Sequence, residues 1–134
     1  MEFSGRYEYL AEISEFVEQS AREAGLNDSA VYAVQLAVDE ACSNIIEHAY
    51  GGESQGKIQI TCEGQGGLLR VILRDRGRPF NPEKIPTPNT NTPLNKVKPR
   101  GAGLFLIRKL MDEVNFDFSN KNENVLTLVK KNRG

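Results

Sequence analysis

Apolar residues recur along this chain with two different periods, and the changes of period divide it into elements. From Tyr7 to Ala24, Leu10, Ile13, Val17, Ala21 and Ala24 repeat with helical spacing, and Gly25 suits the position just past a helix end. Asn27 or Asp28 then caps a second helix that runs to about Tyr50 and stops at Gly51 and Gly52. Within it Val31, Val34, Val38, Cys42, Ile45 and Ala49 fall in one stripe at about 100° per residue. Glu40 and Asn44 project from roughly the opposite side, one turn apart, with His48 a turn further on. Ala33, Leu36 and Ala37 share that second side, so this helix expects cover on both faces.

The period then changes to two. Ile58, Ile60 and Cys62 alternate with Lys57, Gln59, Thr61 and Glu63, and Gly64 to Gly67 make the turn of a hairpin. In the returning strand Leu69, Val71 and Leu73 form one face while Arg70 and Arg74 point the other way. Asp75 continues the apolar parity, which puts a carboxylate on the buried side of a strand end; that is costly unless a donor meets it. An aspartate there also caps a following turn. The stretch of about 81–100 shows no periodicity and is rich in Pro, Asn and Thr, the pattern of a mobile lid.

Gly101-Ala102-Gly103 opens a third helix with Leu104, Ile107, Leu110, Met111 and Val114 on one stripe. Glycines at a helix start let backbone N–H groups approach an anion, although glycines also simply end loops. Val114, Phe116 and Phe118 then alternate, and Val125 to Val129 follows an Asn-rich turn at Asn120 to Asn124. Met1 to Gly5 can add a short edge strand. This order predicts an α+β two-layer sandwich, a mostly antiparallel sheet of four or five strands covered on one face by three helices.

A length of 134 residues predicts one domain over 1–134. A net charge of −1 gives no argument for nucleic acid or an anionic membrane surface. No apolar run approaches the ~18 residues of a membrane span, and the acidic N-terminus lacks a signal-peptide h-region, so a cytoplasmic location is expected. Cys42 and Cys62 sit at apolar positions and read as small buried hydrophobes in a reducing compartment. One His and no close Cys pair argue against zinc.

Chemistry concentrates in three places. On the second helix a carboxylate, Glu40, can take a proton, and a carboxamide oxygen, that of Asn44, can ligate a hard cation such as Mg2+; on this helix alone a solvated face with a C-terminal His favoured by the helix dipole is the alternative. A strand ends Asp75-x-Gly77-x-x-Phe80, and after the lid Gly101-x-Gly103 opens a helix. In this combination and order the motifs resemble those of the GHKL (Bergerat-fold) ATPases, most closely the anti-sigma-factor serine kinases. The resemblance rests on Asp39-Glu40-Ala41-Cys42-Ser43-Asn44 through Tyr50, and on Gly101-Ala102-Gly103-Leu104-Phe105-Leu106-Ile107 with Met111-Asp112-Glu113-Val114. It spans about residue 30 to the C-terminus.

The resemblance implies that ATP is bound with Mg2+ and released as ADP. Asn44 would hold the metal, Asp75 would accept the adenine amino hydrogen, and Gly77 would let the backbone approach the base. Gly101 and Gly103 would carry phosphate oxygens with Ala102 and Leu104 beside them, Phe80 would border the nucleotide, and Lys98 or Arg100 would neutralise the γ-phosphate. His48 stands either in the nucleotide site or outside it as a helix-end residue. Glu40 would be the general base. Histidine kinases usually carry Asn at that position, and a carboxylate instead favours Ser/Thr phosphorylation or ATP hydrolysis.

Two positions depart from the family pattern. The N-terminal strand is short, which touches on homodimer formation, and Glu123-Asn124 stands where Gly-Thr is common. Asn124, or Thr127 in a shifted register, would then replace a Thr that positions adenine. The implied function is an ATP-dependent serine/threonine kinase acting on a small STAS-type anti-anti-sigma partner and, in another state, holding a sigma factor. The alternatives are a nucleotide-gated binding module without transfer and a detached histidine-kinase ATPase domain.

Overall fold

The computed structural model describes residues 1–52, 56–78, 103–119 and 122–132, with 103 and 104 described by their backbone alone. Among these residues it contains a five-stranded antiparallel sheet and three α-helices in the order β1 (Glu2–Ser4), α1 (Leu10–Glu23), α2 (Asp28–Asn44), β2 (Lys57–Gln65), β3 (Leu68–Asp75), α3 (Gly103–Leu110), β4 (Glu113–Asp117) and β5 (Asn124–Lys131). A 3-10 turn at Tyr7–Tyr9 leads into α1. The strand order is β1-β2-β3-β5-β4, every neighbouring pair antiparallel. This is the expected sandwich, with five strands.

The parity along the strands sets the two faces. Ile58, Ile60, Leu69, Val71, Leu73, Leu126 and Leu128 are buried together with the apolar stripes of the helices. The helix stripes do as their spacing predicts: Ile13, Val17 and Ala21 in α1 and Val31, Val34, Val38 and Cys42 in α2 are buried. Ala33 and Ala37, on the other side of α2, are buried as well, because α2 lies between α1 and α3 and touches both. The α2 N-cap is Asn27, whose Oδ1 accepts from Ala30 N at 2.9 Å. Gly25 takes the left-handed φ of 90° past the end of α1, where a side chain would be strained.

The short edge strand forms as expected. Phe3 of β1 is buried, and the Met1 ammonium donates to Ile60 O at 2.7 Å. Val114, which fits both a helical stripe and a strand, lies in β4, because α3 stops at Leu110. The two cysteines are free, and Cys62 is only half-buried where full burial was expected. Burial pushes the Cys42 thiol well up from its ordinary range and raises that of Cys62, so neither is a ready nucleophile. Among the described residues no helix is long and apolar enough to cross a membrane.

Candidate functional site

Glu40 and Asn44 occupy one face of α2 at i and i+4, and both side chains are buried, Asn44 with 4% of its surface exposed. Burial of a carboxylate and a carboxamide on a helix otherwise rich in Ala and Val marks a built polar site rather than a solvated face. Glu40 has a polar partner in the fold. Asn44 Oδ1 differs: it is fully buried and has no hydrogen-bond partner among the described residues. An orphaned buried acceptor costs roughly 1–3 kcal/mol and is retained where a ligand will meet it. A neutral amide oxygen is a suitable ligand for a hard cation, so Asn44 fits the Mg2+ that the motif implies. Among the described residues no cluster of three or more His, Cys, Asp or Glu side chains offers a rival metal site.

The helix was expected to run regularly to Tyr50, but α2 ends at Asn44 and continues as a π-helical turn over Ile45–Ala49. Its signature is Tyr50 N donating to Ile45 O at 3.0 Å, five residues back. The wider turn is held by the exit of β3. Ala49 O accepts from Arg78 N at 2.9 Å, and His48 O accepts from Arg78 Nε at 3.2 Å. A Cβ on Gly77 would come within 2.6 Å of Ala49 O. The close approach that requires glycine at this position is thus to the protein's own π turn. Tyr50 completes the junction: its hydroxyl donates to Lys57 O at 2.5 Å and accepts from Arg76 N at 3.0 Å, tying the turn to β2 and β3.

This junction brings Asp75 beside α2. Asp75 is 5% exposed, and its Oδ1 accepts from Gly77 N at 3.0 Å and from Asn124 Nδ2 at 2.9 Å. Burial pushes the Asp75 carboxyl up from its ordinary range, against the opposing pull of the Asn124 and Gly77 hydrogen bonds. Asn124 is the direct cross-strand partner of Asp75 in the β3–β5 register, and its Nδ2 also donates to Gly77 O at 2.9 Å. The donor that a buried strand-end aspartate needs is therefore supplied by Asn124.

Asn44, Asp75 and Asn124 line one cleft, whose apolar walls include Ala41, Ile45, Ile107, Phe116 and Phe118. The Phe116 and Phe118 rings stack 5.9 Å apart at its edge. Glu40 lies one turn along α2 and is not among the lining residues; His48 is half-buried in the π turn and engaged in an interaction of its own. Thr127 is not brought to the cleft. It pairs with Ile72 and Asn115, three positions from Asn124, and strand alternation puts it on the opposite face of the sheet. Phe80, Lys98, Arg100, Gly101, Ala102 and the lid at about 81–100 lie outside the described residues, and Gly103 and Leu104 are described by their backbone alone.

The family profile described as "Histidine kinase-like ATPase domain" matches residues 3–130 of this chain. A protein of Oceanobacillus iheyensis named serine-protein kinase RsbW is 30% identical over 118 residues, 85% of this chain and 75% of that protein. The protein of the same name from Bacillus mycoides is also 30% identical, over 85% of this chain and 73% of its own length. Among solved structures, that of the RsbU and RsbW domains of a Mycobacterium tuberculosis protein superposes with a TM-score of 0.65 at 18% identity. It covers 98% of this chain, which spans 31% of that longer one. The catalytic domain of the histidine kinase ThkA superposes with a TM-score of 0.56 at 22% identity, covering 98% of this chain and 94% of its own. These two likenesses concern the fold.

Proposed function

The chain belongs to the histidine kinase-like ATPase domain family, and on that premise we propose that it is an ATP-dependent serine/threonine protein kinase and anti-sigma factor. Its substrate would be a Ser or Thr hydroxyl of a small STAS-type anti-anti-sigma protein, and in its other state it would hold a sigma factor. One observation carries the reading: the partnerless Asn44 Oδ1 and the buried Asp75 carboxylate open on the same cleft. One end of that cleft is prepared for a hard cation and the other for a base that brings an N–H. The relatives named serine-protein kinase support the serine/threonine reading.

Each residue then has a physical task. Asp75 accepts a hydrogen from the exocyclic amine of adenine through the oxygen that its own network leaves open. Asn44 supplies one oxygen ligand to Mg2+, which when bound draws charge from the phosphate oxygens. Gly101, Ala102 and Gly103, the glycine motif of the sequence, would present backbone N–H groups to the phosphates, with Lys98 or Arg100 as the neighbouring cation. Glu40 takes the proton of the attacking hydroxyl as its oxygen bonds to the γ-phosphorus and the bond to the β-phosphate oxygen breaks, leaving ADP.

The test is transfer of labelled γ-phosphate to a STAS-type partner, with ATP binding followed in parallel by calorimetry. Glu40→Ala is expected to lower transfer by about 10²–10⁴-fold while leaving ATP affinity close to wild type. ATP binding without label on the partner would instead make the protein a nucleotide-gated binding module. No binding at millimolar ATP would sink the kinase reading altogether.

A further inference from the structure

Asn124 stands where the resembled family commonly has a Thr, and its hydrogen bonds decide what the cleft can recognise. Both groups it touches, Asp75 Oδ1 and Gly77 O, are acceptors, each 2.9 Å from Asn124 Nδ2. The orientation of this amide is therefore settled by chemistry: the nitrogen must face them, and both of its N–H groups are used. Asn124 is 4% exposed and lines the cleft, yet it has no donor left to offer a ligand. Asp75 Oδ1 is likewise occupied, by Asn124 and by Gly77 N. What remains toward a ligand is acceptors alone: the second carboxylate oxygen of Asp75, with its direction fixed, and the neutral amide oxygen of Asn124.

We propose that Asn124 is a positioning residue for base recognition: it locks Asp75 so that a single carboxylate oxygen reads the amino group of the base, while Asn124 itself presents no donor there. The inference rests on the reading that Asp75 meets the base of ATP. It concerns discrimination more than affinity. Without the Asn124 amide, the Asp75 carboxylate keeps only the Gly77 N–H, can rotate, and no longer presents one acceptor at one place.

The test compares binding of ATP with that of purine riboside triphosphate, which differs only in lacking the amino group. Calorimetry is run on wild type and on Asn124→Leu, with thermal melting to report the fold. Wild type is expected to prefer ATP by about tenfold, the usual worth of a hydrogen bond to a charged group. In Asn124→Leu the preference should collapse to within about twofold, whereas a merely structural loss would weaken both ligands alike. A folded Asn124→Leu that keeps the wild-type ratio overturns the proposal. Should the leucine variant not fold, Asn124→Ala removes the same donors and is judged by the same ratio. Wild type that binds both ligands equally, or neither, overturns instead the assignment of Asp75 to the base, so the two failures are distinguishable.

Discussion

The two ends of the cleft are built on opposite principles. At the base end, Asp75, Gly77 and Asn124 form a closed set in which Asp75 Oδ1, Gly77 N, Gly77 O and both Asn124 amide hydrogens find partners inside the protein. At the ion end, Asn44 Oδ1 is equally buried and has none. The first arrangement satisfies its members inside the apo fold and holds a carboxylate still. The second destabilises it and is relieved only by a ligand. Strand pairing supplies donors at fixed places, so two strands can satisfy a carboxylate between them. A helix face cannot do so, since its backbone N–H groups are already used along the helix. An orphan on a helix is therefore a stronger pointer to a ligand than a buried charge on a strand.

The largest expected effect comes from breaking the base end. In Asp75→Asn the amide oxygen can keep both internal hydrogen bonds, which turns its NH2 toward the base where an acceptor is required. ATP affinity should fall by about 100-fold with the fold intact, measured by calorimetry. The raised carboxyl of Asp75 adds a pH signature. Wild-type affinity should decline as pH is lowered through a value above the ordinary 3.8, and the Asn variant should lack that dependence. Stability has its own sign. A carboxyl raised on folding contributes stability that is present below its ordinary value and lost as pH rises through the folded one. Asp75→Asn should accordingly melt higher than wild type above that window and not below it.

Next in size is the junction between the ends. A methyl group at Gly77 would sit 2.6 Å from Ala49 O, so Gly77→Ala should destabilise the fold by about 1–3 kcal/mol in denaturant unfolding. Equal stability in that variant would show that the π turn yields easily and that the two ends are not rigidly spaced. The comparison is sharpened by Asn44→Leu, which fills the orphan's place with an apolar side chain. Apo stability should rise by about 1 kcal/mol, while the Mg2+-dependent part of ATP affinity disappears. A loss of apo stability would mean that Asn44 is satisfied in solution and that the contrast between the ends is weaker than drawn. The smallest effect is expected from Tyr50→Phe, which deletes the hydroxyl bridging Lys57 O and Arg76 N and should cost at most about 1 kcal/mol.

Much of the fold was legible because periodicity is a local property. The stripes Ile13-Val17-Ala21 and Val31-Val34-Val38 and the alternation Ile58-Ile60 and Leu69-Val71-Leu73 each report one buried face, and all are buried. Sequence could also say that α2 would be covered on two sides and that Asp75 lay on the buried side of its strand, needing a donor. The π turn was not legible, since Ile45–Ala49 has ordinary helical residues and the extra residue is accommodated by contacts with Gly77 and Arg78, about thirty positions later.

The amino-acid sequence by itself determined which apolar residues face inward, in what order helices and strands follow, and that Asp75 is a polar group at a position meant for burial. Only the tertiary structure decided which group meets which. Asn124 became the partner of Asp75, across 49 positions, and Thr127 did not, because a shift of three residues along β5 changes the face of the sheet. That register is set by the packing of the β3 and β5 core residues against three helices, a sum of many weak contacts that no short motif encodes.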